Sequence, residues 1–119
     1  MSDVTVLVGF ADSAEGRVAF DAGVEEARLR STGVIVLVMS GEPPPVVHDV
    51  PVEFRHPDRH DADVAGALLD LAEETSAELI VIGLRRRSPV GKLLLGSQAQ
   101  QILLQARVPV LAVKTPAAG

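Results

Sequence analysis

The residues best suited to chemistry lie between Gly83 and Ser97, in the run Gly-Leu-Arg-Arg-Arg-Ser-Pro-Val-Gly-Lys-Leu-Leu-Leu-Gly-Ser. Four of the eleven basic residues, Arg85, Arg86, Arg87 and Lys92, fall there within eight positions. Such a loop supports anion binding. Arginine guanidinium groups fork onto phosphate oxygens. Gly96 lets a ligand approach the backbone, and Ser97 heads a helix whose free N–H groups and dipole attract negative charge. The same residues also suit a plain loop, in which Gly83 turns the chain, Ser97 caps the helix and the arginines are solvated. Spacing alone leaves both readings open. Two stricter phosphate motifs are excluded. Leu93, not Ser or Thr, follows Gly91-Lys92, and Arg86 stands where a P-loop has its first glycine. Gly9 has no second glycine at dinucleotide-fingerprint spacing.

Other polar clusters carry less. His56, Asp58, His60, Asp61 and Asp63 are metal-ligating types, but Asp61 reads as a helix cap and the others as solvent-facing, so no metal site is assigned. All three histidines lie between positions 48 and 60, and no Ser/His/Asp set assembles around them. Asp12 has the chemistry of a general base, yet an Asp just before a helix is ordinarily a turn or first-turn residue. No catalytic residue is assigned.

The elements that must position the loop alternate in type. Val4–Phe10 is an apolar, β-branched run that reads as a buried strand. Ser13 is a candidate N-cap for a helix reaching about Arg30, with Phe20, Gly23, Val24 and Ala27 on one face and Arg17, Asp21, Glu25 and Arg28 on another. Val34–Met39 is a second strand. Val50–Arg55 is a third, at an edge because of Pro51. A helix over 61–76 with Asp61 as cap buries Val64, Leu68, Leu71 and Ala72. Leu79–Ile82 is a fourth strand. A short helix over 97–106 turns Ala99, Ile102, Leu103 and Ala106 inward, and 109–114 is the last strand. Strands alternating with helices predict an open, mostly parallel sheet with helices on both faces. The proline-rich stretch 40–51 is too short for a full second crossover helix.

Composition agrees. Apolar residues make up 47% and aromatics 3%, so the core is aliphatic, and 119 residues suffice for a single domain over 1–119. A net charge of −5 argues against general nucleic-acid binding. The acidic start and short apolar runs argue against a secretory signal or membrane span. With no cysteine, a reducing, cytoplasmic location is expected.

The sequence Gly83 to Ser97, continuing through Ala99, Ile102 and Pro109–Val113, resembles the C-terminal signature of universal stress proteins. Val6–Ser13 is similar to their first strand and turn. The family's loop has a glycine, two residues, a glycine, nine residues, then glycine with Ser or Thr; here Arg86 takes the second glycine's place. The resemblance implies five strands in the order 3-2-1-4-5 with a ligand between strands 1 and 4. It implies phosphate contacts from Gly83, Gly96 and Ser97 with Arg85 and Arg87 nearby. Val38 and Met39 would lie against adenine. The family's ribose-binding Asp falls on Ala11, with Asp12 one residue late. ATP or another adenine nucleotide is the implied ligand, with Mg²⁺ only alongside it. Arg86 and Ala11 each remove something an ATP site uses, while the arginines and Ser97 suit a smaller or different anion. Related proteins dimerise across the last strand, so a homodimer through Val110–Val113 is expected. The expected function is a stress-response module without enzymatic activity. The alternatives are a ligand-free dimeric interaction protein whose pocket Arg86 fills and, least favoured, a slow nucleotide hydrolase.

Overall fold

The computed structural model describes residues 4–45, 49–58, 63–84 and 96–115. In chain order the elements are β1 (Val4–Ala11), α1 (Ala14–Leu29), β2 (Gly33–Ser40), β3 (Val52–Arg55), α2 (Val64–Thr75), β4 (Leu79–Leu84), α3 (Ser97–Gln105) and β5 (Val110–Lys114). They form one five-stranded sheet in the order β3-β2-β1-β4-β5, with every neighbouring pair parallel.

Because strand side chains alternate between faces, each strand feeds two cores. Val6, Val8 and Phe10 of β1, with Val34, Val36 and Val38 of β2 and Val81 of β4, pack beneath α1 through Ala19, Phe20, Val24 and Ala27. Leu7, Ile35, Leu37, Ile80 and Ile82 point the other way, against Leu68, Leu71 and Ala72 of α2 and Ile102 of α3. Helices thus cover both faces, and the central strands read as continuous apolar runs because neither face is wet. Gly23 makes the helix–sheet contact close: a Cβ there would sit 2.3 Å from Val8 Cγ2.

Both long helices begin with the same device. Ser13 Oγ accepts from Gly16 N at 3.1 Å, and Asp63 Oδ1 accepts from Gly66 N at 2.9 Å. Asp63 is therefore the N-cap of α2, and the helix starts two residues after the expected Asp61, which lies outside the described residues. The third strand begins at Val52 rather than Val50. In α3, Ala99, Ile102 and Ala106 face the core, but Leu103 is 37% exposed and turns outward, against expectation.

β2 and β3 pair in parallel, with Val34 opposite Val52 and Val36 opposite Phe54, although only residues 41–51 join them. None of the described residues of this strap is helical. Pro44 is buried, and Val50 joins the core beneath α1. The strap is pinned at its far end, where Val34 N donates to Pro51 O at 2.9 Å. There Arg28 Nε also donates to Asp49 at 2.8 Å. That hydrogen bond is the main reason the Arg28 guanidinium pKa is raised.

Candidate functional site

Strand order reverses between β1 and β4: the chain leaves β1 toward β2 and β3, then returns to β4 on the other side. Open parallel sheets bind ligands beyond the carboxyl ends of the strands at such a point. A cleft of about 180 Å³ opens there. Its floor is Gly9, Ile82 and Gly83. Met39 walls it at the end of β2, Ala11 at the end of β1, Glu15 and Gly16 at the start of α1, and Gly96, Gln98 and Ala99 at the start of α3.

Glycines make this junction possible. A Cβ on Gly16 would lie 1.7 Å from the carbonyl oxygen of Ala11, and one on Gly83 would lie 2.2 Å from that of Glu15. The first turn of α1 therefore rests directly on the ends of β1 and β4. Gly9 keeps the floor low, since a Cβ there would stand 3.1 Å from Leu68 Cδ2 and 3.4 Å from Met39 Cε.

At the other wall, Gly96 is the N-cap of α3 in extended backbone and makes no side-chain cap bond. The first intrahelical bond runs from Gln100 N to Gly96 O at 3.0 Å. The N–H groups of Ser97, Gln98 and Ala99 precede it, which is the arrangement that receives anions. Ser97 is the first helical residue rather than the cap, and its side chain is exposed. Among the described residues nothing lies within 4 Å of a Cβ built on Gly96, so the backbone there is open to approach.

The structure thus brings Gly83, Gly96 and Met39 together, with Ser97 adjacent. Arg85, Arg86 and Arg87 lie outside the described residues. Two expected residues are elsewhere. Val38 points into the core beneath α1, because it is one residue out of phase with Met39. Asp12 does not line the cleft. Its Oδ1 pairs with Arg17 Nη2 at 2.8 Å and its Oδ2 accepts from Glu42 N at 3.3 Å, which ties the β1–α1 turn to the start of the strap. Gly41, at φ 72°, is needed for that contact: a Cβ there would fall 2.2 Å from Asp12 Cβ.

Sequence reasoning missed Glu15 and Gln98, the two polar side chains among the described lining residues. A signal for Glu15 existed in Ser13-Ala-Glu-Gly16, where a cap and a glycine three positions on mark a first turn packed against backbone. Of the five residues considered for a metal, His60 and Asp61 lie outside the described residues. Among the described residues no group of three or more His, Asp or Glu is arranged to hold one. Nor is any helix among them long and apolar enough to cross a membrane.

Residues 48–114 match the model of the Universal stress protein family. A universal stress protein of Mycolicibacterium smegmatis is 42% identical over 131 residues, spanning 92% of this chain and 96% of the relative. Among solved structures, a universal stress protein from Archaeoglobus fulgidus superposes with TM-score 0.71 at 28% identity, covering 93% of this chain and 98% of the other. A universal stress protein from the same organism in complex with dAMP superposes with TM-score 0.65 at 25% identity, covering 96% of this chain and all of the other.

Proposed function

Because the chain belongs to the universal stress protein family, we propose that the cleft between β1 and β4 binds an adenine nucleotide and that the protein acts as a homodimer in a stress response. The phosphate sits at the N–H groups of Ser97 to Ala99, with Gly83 and Gly96 allowing close approach and Arg85 and Arg87 supplying charge from the adjoining loop. The base lies against Met39. Mg²⁺ enters only with the nucleotide's phosphates.

The observation that carries this reading is the place of the cleft. It lies at the strand-order reversal, with a helix start at Gly96 that no described residue obstructs on one side and an apolar wall on the other. The relative in complex with dAMP supports the ligand class. Isothermal titration with AMP, ADP, ATP and cyclic AMP, with and without Mg²⁺, tests it. Binding of at least one nucleotide in the micromolar range is expected, and no heat from any of them overturns it. Mass spectrometry of the denatured protein adds an independent readout of carried nucleotide.

A second reading, a dimeric interaction protein without ligand, is favoured by one feature of the cleft. Ala11 occupies the position from which a carboxylate is expected, and the neighbouring Asp12 is spent on Arg17 and the strap. Arg86→Gly separates the readings. A gain of ATP binding over a silent wild type supports the second, whereas binding by the wild type supports the first.

A further inference from the structure

The chain has two methionines, Met1 and Met39, and no cysteine, so beyond the first residue its sulfur chemistry rests on one thioether. That thioether belongs to the cleft. Met39 Cε lies 3.4 Å from where a Cβ on Gly9 would stand, so it is the side chain of Met39 that reaches over the cleft floor. Leu68 Cδ2 and Ile82 Cγ2 meet the same point at 3.1 and 3.4 Å, which makes the surroundings of the methyl group apolar. The strand ladder aims it there. Phe10 pairs with Val38 and Ala11 with Ser40, so Met39 is the extra residue of an irregularity in the β1–β2 register. Extra residues of this kind re-aim a side chain and are common beside functional sites.

Met39 is half-buried and lines an open cleft, within reach of a small oxidant such as hydrogen peroxide. The sulfur lone pair attacks one peroxide oxygen, so an S–O bond forms as the O–O bond breaks. The proton on the transferred oxygen passes to the departing hydroxide, which leaves as water. The thioether is oxidised by two electrons and the peroxide is reduced. The product, methionine sulfoxide, is a polar and chiral side chain in place of a flexible apolar one. Its oxygen either stays among Leu68 and Ile82 without a donor or carries the side chain out toward water. In both cases the apolar wall of the cleft is lost.

We infer that Met39 is an oxidation site that controls this cleft: peroxide converts its thioether to the sulfoxide and thereby lowers affinity for the nucleotide whose base rests against it. The inference rests on the nucleotide reading above, but the oxidation itself is read without any ligand.

The test treats the full chain with hydrogen peroxide and titrates it with AMP, ADP, ATP and cyclic AMP before and after. Trypsin releases residues 31–55, which hold Met39, apart from residues 1–17, which hold Met1, so mass spectrometry counts oxygen at each sulfur separately. Met39 is expected to gain one oxygen in the folded protein, and saturating nucleotide to slow that gain relative to Met1. A polar group buried without a partner costs about tenfold or more in an equilibrium constant, so the oxidised protein is expected to bind about tenfold more weakly. Met39→Leu, compared with itself before and after peroxide, shows no such loss. Methionine sulfoxide reductases acting on both epimers restore the wild-type affinity, which decides the matter if Met39→Leu does not fold. Four results overturn the role of Met39 alone: Met39 stays reduced while Met1 is oxidised, affinity does not move when Met39 is fully oxidised, Met39→Leu loses as much, or repair restores nothing. A thermal melt of the oxidised protein that is no longer cooperative also overturns it, since the loss is then one of folding. If the untreated wild type binds none of the four nucleotides, the nucleotide reading falls and the switch falls with it.

Discussion

Gly83 and Gly96 bound the same loop, but the structure gives them different reasons to be glycine. At Gly83 a methyl group would collide with the backbone of Glu15, so β4 or α1 has to shift. Such overpacking costs about 1–3 kcal/mol. Gly83→Ala is therefore expected to lower the melting temperature by several degrees in a thermal scan. At Gly96 no described residue lies within 4 Å of a built Cβ and φ is −68°, so alanine fits among them. Gly96→Ala should cost under about 1 kcal/mol, the scale of a poorer N-cap, while weakening nucleotide binding measurably in titration. If the stability losses are reversed, the packing argument is wrong. Asp12 offers the opposite contrast. Asp12→Ala removes an ion pair to the well-exposed Arg17 and the bond from Glu42 N. It should cost about 1 kcal/mol or less and change AMP affinity by less than about twofold, since the carboxylate lies off the cleft. Gly83, Gly96 and Met39, named from the sequence, line the cleft, whereas Glu15 was not named, because polarity and glycine spacing do not say which residues of a first turn meet a cleft. The sequence also named Asp12 and Val38 as site residues. A shift of one position along a strand or turn reverses the face, and no residue pattern fixes that phase at the end of a strand.

At the scale of elements, the strap between β2 and β3 takes the place of a crossover helix and is held near both its ends. Pro44 is buried, Val50 lies in the core, and Asp49 pairs with Arg28 of α1. Val50→Ala should cost about 1.5–3 kcal/mol, the value of burying such a side chain. Replacing the exposed Pro45 by Ala should fall within about 0.5 kcal/mol, as for other surface positions. Chemical denaturation of both variants measures the difference, and equal losses would mean the strap is not anchored as described. The absence of a second crossover helix was legible from three successive prolines, which lack N–H donors and clash in a helix. The parallel pairing of β3 was not, since so short a connection ordinarily joins strands of opposite direction. The start of α2 was misplaced for a related reason. Asp61 and Asp63 both precede the apolar run, and the choice turns on Gly66, whose lack of a Cβ lets Asp63 approach within hydrogen-bond distance of its N–H. In α3 the nine residues bury one position fully, Ile102, so a helical pattern that admits Leu103 overstates the inward face.

At the scale of the molecule, the sheet has two edges that differ in character. β3 has four residues, two of them the charged Glu53 and Arg55, which pair with each other on its exposed face. Charge and shortness blunt an edge against pairing. β5 carries Val110, Leu111, Ala112 and Val113, all only partly buried, before its first charge at Lys114. Leu104, in the helix that leads into β5, is 83% exposed. The proposed homodimer forms across this second edge. The ladder shows which groups are available. Ile80 lies opposite Val110, and its N–H donates to Pro109 O at 3.0 Å. In a parallel ladder that phase turns the N–H groups of Leu111 and Val113 toward β4, and those of Val110, Ala112 and Lys114 toward the open edge. Ala112→Pro therefore removes a donor from the outer edge and none from the β4–β5 ladder. Sedimentation analysis should find the wild type as a dimer and Ala112→Pro shifted strongly toward monomer, with the melting transition of the variant still cooperative. Leu111→Pro deletes a donor to β4 instead and should cost stability outright, about 1–3 kcal/mol for the acceptor left unpaired. A wild type that sediments as a monomer, or an Ala112→Pro dimer as tight as the wild type, would place the contact between copies somewhere other than β5.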